Sequence, residues 1–278
     1  MQEFSGRTAV ITGGASGIGL AVARRMGTEG MNLVLADIEQ PALDNVVAEF
    51  EAAGVSVIGV ETDVSDLESV RALSQAAAER FGNVHFLFNN AGVGGGGAML
   101  TPDDIDIWNW VLGVDLFGVL YGIKVFGPAM VAHGEPCHIV NTASMAGLMP
   151  TPGLGSYTVA KYGVVAMSET LSLETADTNL GVSVLCPGFV QTRIHESDRN
   201  IPENLVSLEE PTEEVEFMRQ MVKDLVTGGI PPEQVAADVF NAVATGRFYV
   251  LPHPEYAEQI RARAEWIAAG QAPSSWDI

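Results

Sequence analysis

Tyr157 and Lys161 stand four residues apart in the run SYTVAKYG, at the start of a segment with helical periodicity. One helical turn separates them, so the phenol and the ammonium share a face. A cation beside a phenol favours the phenolate and draws its pKa down towards the working range. Tyr157 can then give a proton to a carbonyl or take one from a hydroxyl. Ser144 ends an apolar run 13 residues earlier, where its hydroxyl can reach the same oxygen. Each feature alone has a plain structural reading: a chance Tyr-x-x-x-Lys, and a serine that caps a helix or turns a loop. Together they point to acid–base chemistry at a carbon–oxygen bond.

A second group lies near the other end of the chain. Thr12-Gly13-Gly14-Ala15-Ser16-Gly17-Ile18-Gly19 falls between a strand-like run and a helical one. Missing side chains let such a turn approach a pyrophosphate, and the free N–H groups of the following helix face that anion. Gly13, Ser16, Gly17, Ile18 and Gly19 are therefore candidate dinucleotide contacts. Asp37 closes the second strand, 18 residues beyond Gly19. A carboxylate there accepts from both hydroxyls of an adenine ribose and repels a 2′-phosphate. No Lys or Arg follows it, so the expected cofactor is NAD(H), not NADP(H). Asp63-Val64 and Asn89-Asn90-Ala91-Gly92 follow the third and fourth strands, at the ends where open α/β sheets bind ligands. Asp63 is a candidate for the adenine amino group or, structurally, a helix N-cap. Asn90, Ala91 and Gly92 pass close to the cofactor or form a simple turn. Gly94–Gly97 implies a flexible segment just beyond.

These groups need a scaffold that gathers strand ends, and the pattern supplies one. Strand-like runs at 7–12, 32–37, 55–61, 85–89, 138–143, 182–186 and 248–251 alternate with helical runs, the longest covering about 105–132. Continuous Val/Ile/Leu runs read as strands buried on both faces, hence a parallel sheet clothed in helices. The expected fold class is α/β: one Rossmann-like, doubly wound, parallel seven-stranded sheet forming a single domain over 1–278. The acid-rich stretch 193–230 breaks the rhythm and reads as a lid inserted over the substrate. The tail 252–278 carries Tyr256, Ile260 and Trp266 at helical spacing.

Composition narrows the classes. With 47% hydrophobic and 18% charged residues, the chain is globular. A formal charge of −21 argues against nucleic acid and anionic membrane surfaces as partners. Cys137 and Cys186 lie in apolar runs without metal-ligand spacing, so they read as buried free thiols and no metal is expected. The apolar stretch 107–130 is interrupted by Asp115 and Lys124, which argues against a membrane span. With no signal-peptide pattern at the N-terminus, a cytoplasmic protein is expected.

In order and spacing, the Thr12–Gly19 turn, Asn89-Asn90-Ala91-Gly92, Ser144, Tyr157-x-x-x-Lys161 and Cys186-Pro187-Gly188 resemble the single-domain branch of the short-chain dehydrogenase/reductase family, over about residues 6–192. The resemblance implies Tyr157 as proton donor or acceptor, Lys161 on the nicotinamide ribose, and Ser144 orienting the substrate oxygen. It places Pro187, Gly188, Val190 and Thr192 beside the nicotinamide. Where the family usually has Asn in Val-Asn-Leu, this chain has Val114-Asp115-Leu116. The family's Asn holds a water of a proton relay, largely through its carbonyl. Asp115 keeps that carbonyl, loses the amide donor, and sets a carboxylate near Lys161. Asp115 therefore stands both as a relay candidate and as a structural helix position.

The substrate pocket is expected among 144–151, 92–99 and the lid, with Met145, Leu148, Met149, Leu154, Phe189, Ile194 and Phe217 favouring a bulky, mostly apolar secondary alcohol or ketone. The stretches HIVNTASMAGL and GVSVLCPGFVQTRI are similar to dehydrogenases of lignin-type benzylic alcohols. The apolar helix at 105–130 implies a homotetramer or homodimer, as in the family. Two other readings compete: a non-catalytic NAD-binding regulator, which predicts a damaged Tyr, Lys or Ser, and an NAD-retaining epimerase or dehydratase, which predicts a larger C-terminal domain.

Overall fold

The computed structural model describes residues 1, 3–101, 104–205 and 213–273. Parts of the expected lid (206–212) and tail (274–278) lie outside the described residues. Seven strands form the sheet: β1 (Thr8–Thr12), β2 (Asn32–Asp37), β3 (Val57–Glu61), β4 (Phe86–Asn89), β5 (Cys137–Thr142), β6 (Leu180–Leu185) and β7 (Tyr249–Val250). Every pairing is parallel, in the order β3-β2-β1-β4-β5-β6-β7. The strands that read as continuous apolar runs are those with both faces covered: β1, β4 and β5 are buried along their whole length. Ile11, Leu33, Leu35, Phe86 and Phe88 are inaccessible to solvent. Each such side chain contributes roughly 1.5–3 kcal/mol by leaving water.

The chain order reverses between β1 and β4, and this switch point opens a crevice at their carboxyl ends. Helix α1 (Gly17–Thr28) starts there. Helices α2 (Gln40–Ala52) and α3 (Leu67–Phe81) complete the first half.

The long helical run at 105–132 is not one regular helix. Helix α4 (Ile105–Leu112) passes through a π-helical turn, Gly113–Phe117, into α5 (Gly118–Ala132). By length and composition alone the run could cross a membrane. In the fold, Val119, Ile123, Phe126 and Met130 are buried in the sheet's cover, while Ile105 and Phe117 stay exposed. Helix α6 (Gly155–Glu174) carries Tyr157 and Lys161. A buried polar chain fastens it to the sheet: Asn89 Nδ2 donates to Asn141 Oδ1 (2.8 Å), Asn141 Nδ2 to Ser168 Oγ (3.0 Å), and Ser168 Oγ to the Val164 carbonyl (2.7 Å). Beyond β6 come the 3-10 helix Ile194–Asn200, α7 (Glu213–Thr227) and α8 (Pro232–Thr245). After β7, α9 (Ala257–Ala268) follows.

Candidate active site

At the switch point the Gly13 turn and the Asn90 turn interlock. Thr12 Oγ1 accepts from the backbone N–H groups of Asn90 (2.9 Å) and Ala91 (3.1 Å). Asn90 Nδ2 donates back to the Thr12 carbonyl at 3.0 Å. Gly13 has φ +63°, and a Cβ there would meet Ala91 and Asn90 at 3.0 Å. At Gly19 a Cβ would fall 2.0 Å from the Gly13 carbonyl oxygen. Only glycine at both places lets helix and turn meet. No side chain caps the start of α1, where Ser16 is extended, so its first N–H groups are free to face an anion at Gly17 and Ile18.

Asp37 ends β2 beside this turn. Its Oδ2 accepts from Ala15 N (3.0 Å) and its Oδ1 from Glu39 N (3.1 Å), leaving lone pairs for ribose hydroxyls. Burial raises its pKa, and the two N–H bonds only partly offset that. Ile38, 45% exposed, offers an apolar cover for a base. The other adenine candidates are partly committed elsewhere. Asp63 Oδ1 takes the N–H (2.9 Å) and hydroxyl (2.6 Å) of Ser65. It is Asp66, not Asp63, that caps α3. The Val64 side chain is buried against Gly118. These residues fit a dinucleotide with a free 2′-hydroxyl.

The chemical end stands where β4, β5 and α6 converge. Lys161 is 3% exposed. Its Nζ donates to the Thr142 carbonyl (3.3 Å), lies 3.6 Å from Asp115 Oδ2, and sits 5.4 Å from the Tyr157 ring centre. Burial pushes the Tyr157 phenol above its ordinary pKa. Lys161 pulls it down, Asp115 pushes it up again, and the nearby Ser144 hydroxyl lowers it; the net direction is up. The expected lowering by Lys161 is thus present but outweighed. In the free protein Tyr157 is a phenol, ready to donate. Ser144 also serves its local structural role, accepting from Ala146 N at 3.1 Å to cap the 3-10 helix Met145–Gly147.

Asp115 lies in the π-helical turn, a distortion that re-aims a side chain within a helix. It is fully buried. Oδ1 accepts from Val93 N at 2.8 Å, and a Cβ at Gly92 would come within 3.1 Å of it. Burial raises the Asp115 pKa despite the Lys161 charge and the Val93 bond.

In the turn after β6, expected beside the nicotinamide, the Pro187 carbonyl accepts from Met145 N at 2.9 Å. Val190 is buried and bridges to Ile230. The Thr192 methyl lies 3.0 Å from where a Gly17 Cβ would be. One residue here escaped the sequence reading: His253. Its Nδ1 accepts from Gly188 N (3.0 Å) and its Nε2 faces the Phe189 carbonyl (3.1 Å), so one imidazole staples both sides of the turn. A lone histidine 65 residues downstream carries no signal of this in sequence.

Gly94–Gly97 is packed, contrary to the expected flexible segment. Cβ atoms would come within 2.9 Å of the Ile194 carbonyl, 2.6 Å of Val111, 2.7 Å of the Gly153 carbonyl and 2.7 Å of Asp104, in that order along the run. Glycine is there for close approach. Of the expected pocket residues, Met145 and Met149 are buried in a cluster with Leu148 and Tyr256. Phe189 and Phe217 instead line a cavity of about 640 Å³ between α7 and the tail, with Met221, Leu225, Ile230 and Tyr256. The cavity adjoins the Gly188 turn, because a Cβ on Gly188 would meet Tyr256 at 3.0 Å. Burial pushes Cys137 up to about 11 and Cys186 to about 12, so both are inert buried thiols.

Fold and site together define an α/β protein with a dinucleotide crevice and a Tyr–Lys–Ser cluster at one end of it. The chain belongs to the short-chain dehydrogenase family, whose model matches residues 7–202. It is 34% identical over 278 residues to a CLA biosynthesis dehydrogenase/reductase of Lactiplantibacillus plantarum, covering 98% of this chain and 97% of that protein. It is 32% identical to a C alpha-dehydrogenase of a Sphingobium species, covering 100% of this chain and 90% of that one. A crystal structure of a short-chain dehydrogenase/reductase from Burkholderia phymatum in complex with NAD superposes with a TM-score of 0.94 at 43% identity, covering 99% of both chains.

Proposed function

We propose that this protein is an NAD(H)-dependent oxidoreductase that transfers a hydride between nicotinamide and a bulky, mostly apolar secondary alcohol or ketone. The convergence of Tyr157, Lys161 and Ser144 beside a glycine turn and the Asp37 carboxylate carries this reading. The NAD-bound relative at 43% identity supports the cofactor. Bound nicotinamide supplies or accepts the hydride. The chain does the rest. Asp37 accepts from the adenine ribose and excludes a 2′-phosphate, with Asp63 and Val64 beside the adenine. Gly13, Ser16, Gly17, Ile18 and Gly19 hold the pyrophosphate; Asn90, Ala91 and Gly92 flank it. Pro187, Gly188, Val190 and Thr192 border the nicotinamide, and Lys161 holds its ribose. Ser144 Oγ orients the substrate oxygen. Tyr157 Oη gives it a proton in ketone reduction and takes one in alcohol oxidation.

Asp115 acts through Lys161, fixing the ammonium and holding the Val93 N–H. The cavity at α7 is within the size range of small-molecule sites, and its Phe, Met, Leu and Ile lining favours an apolar substrate body. Asp224 and Glu255 on its wall disfavour a carboxylate at the far end. The reading includes a cytoplasmic homodimer or homotetramer that covers exposed apolar residues such as Ile105, Phe117, Val159 and Leu173.

The test follows absorbance in the reduced-nicotinamide band, with NAD or NADP and a panel of aryl, alicyclic and steroidal secondary alcohols. NAD-dependent turnover that disappears in Tyr157→Phe supports the reading; turnover that survives the substitution overturns it. One observation favours a second reading, a regulator that binds NAD without chemistry: the carboxylate of Asp115 beside Lys161. That reading predicts measurable NADH binding with no turnover across the panel.

A further inference from the structure

The segment after Thr192 does more than roof the substrate. From Thr192, against the pyrophosphate turn at Gly17, the chain runs through the 3-10 helix Ile194–Asn200 and comes back to Glu39, two residues past Asp37. There Glu39 Oε1 accepts from Arg199 Nε (2.7 Å) and Asn200 Nδ2 (3.3 Å), and Oε2 lies 3.7 Å from Arg193 Nη1. The same Arg199 donates through Nη1 to the carbonyls of Arg193 (3.1 Å) and Glu196 (2.9 Å), so one guanidinium both closes the 3-10 helix and grips Glu39. Glu196 holds Arg193 from the other side at 2.7 Å. The helix is tied to its neighbours as well. Gly94 N donates to Ser197 Oγ (2.7 Å), and Arg219 on α7 pairs with Asp198 (2.9 Å).

We propose that Glu39 is a positioning residue that latches the segment Thr192–Asn200 across the dinucleotide site, so that one ion-pair cluster holds its adenine and nicotinamide ends closed together. The latch rests on the reading of this crevice as the NAD(H) site. Burial works against an ionised Glu39, yet the Arg199 and Asn200 bonds and the charges of Arg199 and Arg193 hold its carboxyl below the ordinary value. Ionisation is what a latch requires. The partners come from positions 160 residues apart, so the contact is not a by-product of local helix geometry. It is also partly exposed, with about a quarter of each side chain accessible, so salt weakens it. A dinucleotide beneath the segment leaves only after the cluster opens, and α7, tied through Arg219, moves with it.

The experiment is NADH release from the full-length protein, followed by stopped-flow fluorescence after a chase with excess NAD. Four proteins are compared: the parent, Glu39→Gln, Arg199→Leu and the double variant, each with a cooperative melt within a few degrees of the parent's as the folding check. Each single substitution is expected to speed release about fivefold, the upper end for a partly exposed pair. The double variant is expected to fall short of the product of the two single effects, because the Glu39–Arg199 contact is lost in each. Added NaCl should speed release from the parent but not from Glu39→Gln. Unchanged release, additive effects, or an equal salt response in all four proteins overturns the latch. A parent that binds no NADH overturns the cofactor reading and the latch with it.

Discussion

Asp115→Asn is expected to make the protein more stable at neutral pH. Asn keeps an acceptor for the Val93 N–H and nearly the same shape, so the substitution isolates the charge. At 3.6 Å and an effective dielectric near 20, the Asp115–Lys161 attraction is roughly 4–5 kcal/mol. The Val93 bond to a carboxylate adds about 1.5–3 kcal/mol. Against these stands the removal of the one carboxylate from water, at several kcal/mol. The raised Asp115 pKa says that burial wins. With its folded pKa above the ordinary 3.8, Asp115 contributes stability that is fully present below 3.8 and is lost as pH rises through the folded value. The Asn variant does not titrate, so its advantage should grow over that window and then level off. Because Lys161 stays charged, the gain is smaller than the roughly 1–4 kcal/mol found when both partners of a buried pair are replaced; about 1 kcal/mol, or roughly 2–4 °C, is expected. The Lys161 ammonium is not stranded, since it keeps the Thr142 carbonyl. Thermal melts of both proteins from acid to alkaline pH decide it. An Asn variant that is less stable at neutral pH, or a difference that ignores pH, refutes the balance drawn here.

Four further outcomes are expected. Asp37 must be ionised to accept from ribose, and burial raises its pKa, so NADH affinity should fall on acidification sooner than a solvent-exposed aspartate would dictate; fluorescence titrations against pH measure this, and Asp37→Asn should flatten the acid limb. Because the free protein holds Tyr157 as a phenol, ketone reduction should be pH-insensitive around neutrality, while the initial rate of alcohol oxidation rises with pH. His253→Leu leaves the Gly188 N–H without its acceptor, a cost of about 1–3 kcal/mol, visible as a lower melting temperature together with weaker NADH binding. Leu225→Trp, which fills the cavity at α7, should raise KM for bulky alcohols and leave KM for small secondary alcohols nearly unchanged, as steady-state kinetics will show.

What could be read in the sequence was set by local pattern or by fixed spacing. Strands such as AVIT and NLVLAD are buried on both faces, and that is why they appear as unbroken apolar runs. Tyr157 and Lys161 are one helical turn apart, so their juxtaposition needs no tertiary information. The π-helical turn had no such signal: VLGVDLFG has the periodicity of a regular helix, and the contacts that Asp115 makes from the turn, to Val93 and Lys161, come from remote parts of the chain. The four glycines at 94–97 suggested freedom because their neighbours are remote in sequence; their crowding is purely tertiary. The direction of the Tyr157 shift is hidden from the sequence for a related reason. Its cation is four residues away, but the burial that outweighs it comes from the whole fold. Glu39 and Arg199, like Gly188 and His253, meet across long stretches of chain, and single charged or imidazole residues do not announce such partners.

The His253 staple also bears on when this site comes into being. The residues proposed for the adenine half and the pyrophosphate are all made by residue 92, whereas the turn at Gly188 is fastened by a side chain made much later. At roughly 5–20 residues per second, a ribosome takes roughly ten to thirty seconds to travel between them. A nascent chain therefore carries the residues of the proposed cradle well before it carries the imidazole that fastens the Gly188 turn. A protein interrupted just short of His253 would keep the visible signature of its family and lack the fastening of the Gly188 turn.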